Sequence, residues 1–194
     1  MNRLLLIFSG LIVLASCATS SPSLNYYLLD SGDASTSIVG SVGQNKKSER
    51  LVLVGDVRLG EFLRQSSLLV ELDDNEMHFA MNHVWAEPLV DEIPKVLLKD
   101  LRRNNTEFNF KRATAEWFGK EAYSLKIQID QFHPNAKQEV IMSGRYWVTD
   151  TGTGQTKEKD FLLSDTLTED NYGHAVVKMR RLITLLAESL VRSL

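Results

Sequence analysis

The sequence contains a single cysteine, Cys17, among 194 residues. A disulfide within the chain needs two cysteines, so none can form, and the cysteine pairs of structural zinc sites are also missing. Positive charge is not in excess, because 22 lysines and arginines stand against 25 aspartates and glutamates, for a net charge of -3. A basic surface that would bind nucleic acid is therefore not predicted.

Long apolar runs are scarce as well. Beyond the first residues, no stretch reaches the roughly 20 apolar residues that cross a bilayer. The N-terminal run, Leu4–Ala15, is also too short for a span, and it follows the basic residue Arg3. A short basic segment before a short apolar run is typical of a secretory signal.

The apolar run ends in Leu14-Ala15-Ser16-Cys17, which resembles a lipobox, a motif with small residues before a lipidated cysteine. This predicts that residues 1–16 are a lipoprotein signal peptide and that residues 17–23 are a lipidated anchor with a short spacer. Two or more acyl chains on Cys17 would hold the protein stably at a membrane, whereas one would do so only marginally. The alternatives are an ordinary signal peptide and an N-terminal helix with a chance cysteine.

The residue after Cys17 indicates the destination. In sorting systems similar to that of enterobacteria, an aspartate at this position retains a lipoprotein in the inner membrane. This chain has Ala18 instead, which predicts an outer-membrane anchor with the protein facing the periplasm.

The remainder, residues 24–194, is long enough for one domain with a sizeable core. A polar, serine- and glycine-rich stretch near 31–49 predicts a flexible loop. Apolar segments bounded by turn residues predict strands on both sides of it. The predicted strands are Leu24–Asp30, Arg50–Leu59, a hairpin of Leu68–Leu72 and Glu76–Met81, and strands in "EFNFKRA", "EAYSLKIQIDQFHP", "QEVIMSGRYWVTD" and "TKEKDFLLSDTL".

Two segments carry apolar residues at helical spacing, "AEPLVDEIPKVLLKDLRRNN" and "DNYGHAVVKMRRLITLLAESLVRSL". Pro88 suits the first turn of the first helix, whereas Pro94 predicts either a kink or a start near Asp91. Asp170 or Asn171 can cap the second helix. The order of elements predicts an α/β fold close to α+β: one domain, with a mixed, mostly antiparallel sheet and at least two helices packed on it.

Patterns for catalysis or metal binding are weak. No pair of histidines has the H-E-x-x-H spacing, and "GTGQTK" lacks the spacing of a phosphate-binding loop. "IMSGR" around Ser143 lacks the first glycine of a G-x-S-x-G elbow. No catalytic residue, metal ligand or cofactor is therefore predicted, although catalytic groups can come from distant parts of a sequence.

The stretch "MNHVWAEPL" is unusual. In one interpretation Trp85 packs under the start of the first helix, Glu87 favours the positive end of the helix dipole, and Pro88 begins the first turn. In the other, Trp85 belongs to a surface that contacts another protein or subunit, where tryptophan is enriched.

Three features resemble the ABC-type transport auxiliary lipoproteins, the family of paraquat-inducible protein C. "NYYLLD" follows the lipidated cysteine after a short spacer, "LVLVGDVRLGEFLRQSSLLVEL" is similar to the family's V-x-L-P-x-Y-L-x-R pattern, and "HVWAEPLVDEIPKVLLKDL" is similar to its W-A-E-P-L helix start. The chain departs from the pattern at Gly60, at Phe62 in place of tyrosine, and at Ser66 and Ser67, where proline is frequent.

The resemblance implies a non-catalytic outer-membrane component of an MCE-type, ABC-linked system that moves lipid between membranes. The implied partners are a PqiB-like MCE-domain periplasmic protein, outer-membrane lipids through acylated Cys17, and a further copy of the chain, with no nucleic acid. The candidates for partner contact or structural support are Trp85, Glu87, Pro88, Phe62 and Arg64. An envelope hydrolase and a structural pilot or assembly lipoprotein are the alternative functions.

Overall fold

The computed structural model describes residues 23–30, 50–73, 75–103, 107–114 and 122–194. The predicted signal peptide, the predicted lipidation site Cys17 and the predicted loop near 31–49 all lie outside the described residues. The described part contains eight strands, two α-helices and one short 3-10 helix. They are β1 (Asn25–Tyr27), β2 (Arg50–Leu59), the 3-10 helix (Glu61–Arg64), β3 (Ser67–Asp73), β4 (Glu76–Trp85), α1 (Leu89–Arg103), β5 (Phe108–Arg112), β6 (Tyr123–Asn135), β7 (Glu139–Asp150), β8 (Thr156–Thr166) and α2 (Tyr172–Arg192).

A five-stranded sheet has the order β5-β2-β6-β7-β8. β2 pairs in parallel with both β5 and β6, whereas β6, β7 and β8 form an antiparallel meander. The interior position of β2, between two parallel neighbours, explains its continuous apolar run, since Val52, Leu53 and Val54 are all buried. β6 and β7 approach so closely at Gly144 that an added Cβ would lie 2.0 Å from the backbone oxygen of Gln128.

Both α-helices pack against this sheet and against each other, α1 near β2 and β5, and α2 near β6, β7 and β8. The apolar stripe of each helix forms much of the core, as the spacing predicts. α2 begins after Asn171, whose side-chain oxygen accepts a hydrogen bond from the His174 N–H at 2.7 Å. α1 runs from Leu89 through Pro94, so it begins before the predicted alternative start at Asp91.

A second, three-stranded sheet has the order β1-β4-β3. β3 and β4 form the predicted hairpin, and β1 joins β4 in parallel, with Tyr27 opposite Trp85. The α/β class and the two packed helices are confirmed, while the strands divide between two sheets. Parallel pairs join strands that are far apart in sequence, so local periodicity does not reveal them.

Two elements differ most from their predicted bounds. β1 ends at Tyr27, short of Asp30, because the N–H groups of Leu29 and Asp30 donate to the Glu92 carboxylate on α1. β4 extends to Trp85, beyond Met81, because β1 pairs with its last residues.

An ion pair joins the two α-helices. Arg180 of α2 donates to both carboxylate oxygens of Asp100 on α1, at 2.6 and 2.7 Å. The hydroxyl of Thr184 donates to the same carboxylate at 2.9 Å. The Asp100 side chain is only 3% exposed, so water cannot solvate its carboxylate. The hydrogen bonds from Arg180 and Thr184 replace that solvation.

We expect Asp100→Ala to lower the free energy of unfolding by about 3 kcal/mol, because it leaves the Arg180 guanidinium in a partly buried site without its partner. Chemical denaturation would measure the change. Asp91→Ala, an exposed change on the same helix, should stay within about 0.5 kcal/mol of the wild type. Equal losses for the two variants would contradict a special role for the Asp100–Arg180 pair.

Candidate functional site

Trp85 is the last residue of β4 and is 7% exposed. Its backbone N–H donates to the Ser66 carbonyl at 2.8 Å, and the next N–H, that of Ala86, donates to the Tyr27 carbonyl at 2.8 Å. These bonds hold the end of β4 between β1 and the start of β3. The burial of the indole favours the interpretation in which Trp85 packs beneath the helix start.

Glu87 and Pro88 lie between β4 and α1. The Pro88 carbonyl accepts hydrogen bonds from the N–H groups of Asp91 and Glu92, so Pro88 immediately precedes the regular helix. The Glu87 carboxylate forms an ion pair with Lys95, which lies further along the helix, and raises the pKa of Lys95. Glu87 is half-buried, whereas Pro88 is exposed.

Phe62 and Arg64 belong to the 3-10 helix between β2 and β3. Phe62 is 38% exposed, and its ring lies beside Gly60, where an added Cβ would meet Phe62 Cε1 at 3.4 Å. The Arg64 side chain is 54% exposed and forms an ion pair with Glu61 at 3.2 Å. Leu63, between them, is buried and belongs to the core.

The structure brings these five candidates to one corner of the molecule. Ser66, two residues after Arg64, accepts the hydrogen bond from Trp85, and the 3-10 helix packs near α1. We name the residues Phe62, Arg64, Glu87 and Pro88 the corner surface. Trp85 lies beneath it, in the core.

Glu92 is a residue that sequence reasoning missed. It is 3% exposed, and its Oε1 atom accepts hydrogen bonds from Leu29 N–H at 2.6 Å and Asp30 N–H at 3.2 Å. Its Oε2 atom is buried without a hydrogen-bond partner among the described residues. The sequence could have indicated the burial of Glu92, since this residue lies three positions after Leu89 and four before Val96, on the apolar stripe of the helix.

Burial raises the pKa of Glu92, and the carboxylates of Glu87 and Asp30 add to the effect, although the two backbone hydrogen bonds oppose it. Lys99, two turns further along α1, binds both carboxylate oxygens of Asp30 at 2.8 Å. The chain that leaves β1 is therefore held to α1 at two places.

An aromatic cluster joins β1, β4 and α2. The Tyr27 hydroxyl and His83 Nδ1 are 2.8 Å apart, and the His83 ring stacks on Tyr172 with centroids 3.8 Å apart. Burial raises the pKa of Tyr27, and Tyr172 adds to the effect. His83 on β4 is therefore a partly buried residue that contacts both β1 and α2.

No group of three or more histidine, cysteine, aspartate or glutamate residues that could hold a metal ion occurs in the described ranges. Within the same ranges, neither α-helix combines the length and apolar character that a membrane span requires.

The raised pKa of Glu92 predicts a pH-dependent stability. Its proton stabilises the folded state fully below the unfolded pKa of 4.5, and this contribution is lost as the pH rises through the higher folded pKa. Glu92→Gln cannot ionise and retains an acceptor for both N–H groups. We therefore expect the free energy of unfolding of Glu92→Gln, relative to wild type, to rise between pH 4.5 and neutrality.

Urea denaturation at a series of pH values would measure this difference. Glu61→Gln is the control, because the Glu61 side chain is 87% exposed and should show no comparable trend. A difference between Glu92→Gln and wild type that does not change with pH would contradict the assignment.

Comparisons with known proteins agree with this fold. A family model described as ABC-type transport auxiliary lipoprotein component matches residues 27–191. Proteins called intermembrane transport lipoprotein PqiC in Escherichia coli (strain K12) and Shigella flexneri are each 24% identical over 163 residues, which cover 84% of this chain and 82% of theirs.

Two solved structures share the fold. An uncharacterized protein superposes with a TM-score of 0.72 at 19% identity and covers 88% of this chain and 98% of its own. A protein from Xanthomonas campestris superposes with a TM-score of 0.61 at 13% identity, covering 73% of this chain and 81% of its own. Since the family model spans most of the sequence, the chain belongs to the ABC-type transport auxiliary lipoprotein component family.

Proposed function

We propose that this protein is a non-catalytic, outer-membrane lipoprotein that docks with a periplasmic MCE-domain protein in an ABC-linked system for lipid transport between membranes. The observation that carries the proposal is the family match over residues 27–191, which begins ten residues after the cysteine of a lipobox-like segment. The names of the Escherichia coli and Shigella flexneri relatives supply the link to intermembrane transport.

In this proposal residues 1–16 are removed and Cys17 carries the acyl chains. Residues 24–194 form a single periplasmic domain, in which the segment near 31–49 is a flexible loop. Ala18 supports the outer membrane as the site of the anchor, and the single cysteine leaves Cys17 as the one residue that can carry thioether-linked acyl chains.

In the described part of the chain, the two buried acidic side chains, Glu92 and Asp100, have structural roles. Glu92 binds the backbone after β1, and Asp100 binds Arg180 and Thr184 on α2. Both carboxylates therefore hold elements together. A non-catalytic role is consistent with this arrangement, because the energy for transport would come from an ATPase elsewhere in the system.

The corner surface is the proposed docking site for a PqiB-like MCE-domain protein. It combines an exposed aromatic ring, Phe62, with the Arg64 guanidinium, and aromatic and arginine side chains are enriched among the residues that dominate binding energy. The buried Trp85 and the backbone bond from Trp85 to Ser66 keep the 3-10 helix and the start of α1 in fixed positions. A fixed surface loses less conformational entropy when a partner binds.

Cys17→Ser should move the protein from the membrane fraction to the soluble periplasm and abolish complementation of a deletion strain, because serine cannot form the thioether. The fold should be unchanged, since Cys17 precedes β1. Ser16→Gly keeps a small residue before the cysteine and should remain in the membrane. A Cys17→Ser protein that stays in the membrane and still complements would refute the proposal.

Phe62→Ala should weaken binding of the MCE-domain partner by roughly tenfold or more, as truncation of a central aromatic anchor does. Crosslinking and co-purification from membranes would identify the partner, and titration with the purified partner would measure its affinity. Leu162→Ala, which truncates a 73% exposed leucine on β8, is the matched control. Unchanged binding by Phe62→Ala with an intact melting transition would exclude the corner surface as the docking site.

A further inference from the structure

Exposed apolar side chains are concentrated on the small sheet. Of the nine large apolar side chains that are exposed in the described part of the chain, six lie on β1, β3 or β4 or directly beside β1. Three of these follow one another at alternate positions: Leu24 is 50% exposed, Tyr26 is 66% exposed and Leu28 is 43% exposed. We name Leu24, Tyr26 and Leu28 the β1 stripe.

The orientation of the β1 stripe is fixed by its neighbours in sequence. Tyr27 is half-buried and contacts His83, and Leu29 is 2% exposed. Side chains alternate between the two faces of extended chain, so Tyr26 and Leu28 point away from the core. The Glu92 carboxylate binds the backbone of Leu29 and Asp30 and so prevents the segment from rotating.

The β1 stripe is also the first part of the described domain that follows the anchor. An extended chain covers at most about 3.5 Å per residue, so the segment from Cys17 to Leu24 can reach no more than about 25 Å. That distance is shorter than the thickness of a bilayer core, about 30 Å. An acylated Cys17 would therefore keep the β1 stripe next to the bilayer at a high effective concentration.

The chemistry of the segment suits a lipid surface. No charged residue occurs between Ser23 and Leu29, and the first charge, Asp30, is bound by Lys99. Leucine side chains enter the acyl boundary readily, and tyrosine is enriched where apolar and polar layers meet. This segment could therefore approach the bilayer without dehydrating a charged group of its own.

We propose that the β1 stripe rests on the lipid bilayer and orients the domain relative to the membrane, in addition to the tether at Cys17. This inference depends on the acylation of Cys17 proposed above. The acyl chains supply attachment, and the three exposed side chains supply a fixed orientation, because they lie on or directly beside β1, which pairs with β4.

The test uses the full-length acylated protein in vesicles of phosphatidylethanolamine and phosphatidylglycerol. Because an acylated Cys17 has no free thiol, one added cysteine can be labelled specifically with an environment-sensitive dye. Tyr26→Cys and Leu28→Cys place the dye on the β1 stripe. Leu162→Cys and Val177→Cys, at residues that are 73% and 64% exposed, place it on β8 and α2 as controls.

We expect the dye at positions 26 and 28 to shift its emission to the blue and to be quenched by brominated lipid. Apolar faces at an interface lie about 5–10 Å into the headgroup–acyl boundary, so quenching there should exceed that at positions 162 and 177 at least about twofold. Equal quenching at all four positions would overturn the proposal. Protection of position 26 from aqueous iodide without quenching by lipid would indicate a second copy over the stripe and would also overturn it.

Mass spectrometry of the same preparation separates the two proposals. If Cys17 is acylated and positions 26 and 28 are not quenched, the contact of the β1 stripe with lipid is wrong and the lipoprotein function stands. If Cys17 carries a free thiol, the proposed function fails first, and the contact fails with it. Melting curves for each labelled variant would show that the fold is retained.

Discussion

The structure depends on the packing of two amphipathic α-helices against one five-stranded sheet and on the ion pair that joins the two helices. The apolar stripes of the helices and the apolar faces of the strands together form the core, but apolar packing alone is non-directional. The bidentate bond from Arg180 to Asp100, with Thr184 as a further donor, adds direction because a guanidinium and a carboxylate bind in a fixed geometry. It joins residues 80 positions apart and so sets the position of α1 relative to α2.

α1 in turn positions the small sheet. Its first turn follows Trp85, whose backbone binds the start of β3, and its Glu92 side chain binds the backbone after β1. The three-stranded sheet is therefore attached to the larger one through the start of α1, in addition to the direct contact between β3 and β6. The corner surface and the β1 stripe both lie on this attachment, which explains why the proposed protein contact and the proposed lipid contact occur in the same part of the molecule.

The sequence predicted those elements whose periodicity is strong and local. β2, the meander of β6 to β8, both helices and the cap at Asn171 follow from apolar spacing and turn residues. The division into two sheets was not predicted, because it depends on β1 pairing with β4 across a long stretch of sequence. The early end of β1 has the same origin, since the acceptor for the Leu29 N–H is a glutamate 63 residues away. The candidate residues were identified from two separate motifs. The proximity of Phe62 and Arg64 to Trp85 comes from tertiary structure, through the hydrogen bond from the Trp85 N–H to the Ser66 carbonyl.

The parallel pairing of β1 with β4 has a mechanical consequence. Tension applied to the residues that precede β1 acts along the strand, so the hydrogen bonds between Asn25–Tyr27 and His83–Trp85 are loaded in shear and share the force. Force that is not borne by these hydrogen bonds reaches Leu29 and Asp30. The backbone of Leu29 is bound by Glu92 and the side chain of Asp30 by Lys99, so α1 then takes the load. A pull on the N-terminus is thus borne first by the β1–β4 ladder and then by α1, which packs against the core, so the domain resists being peeled open from that end.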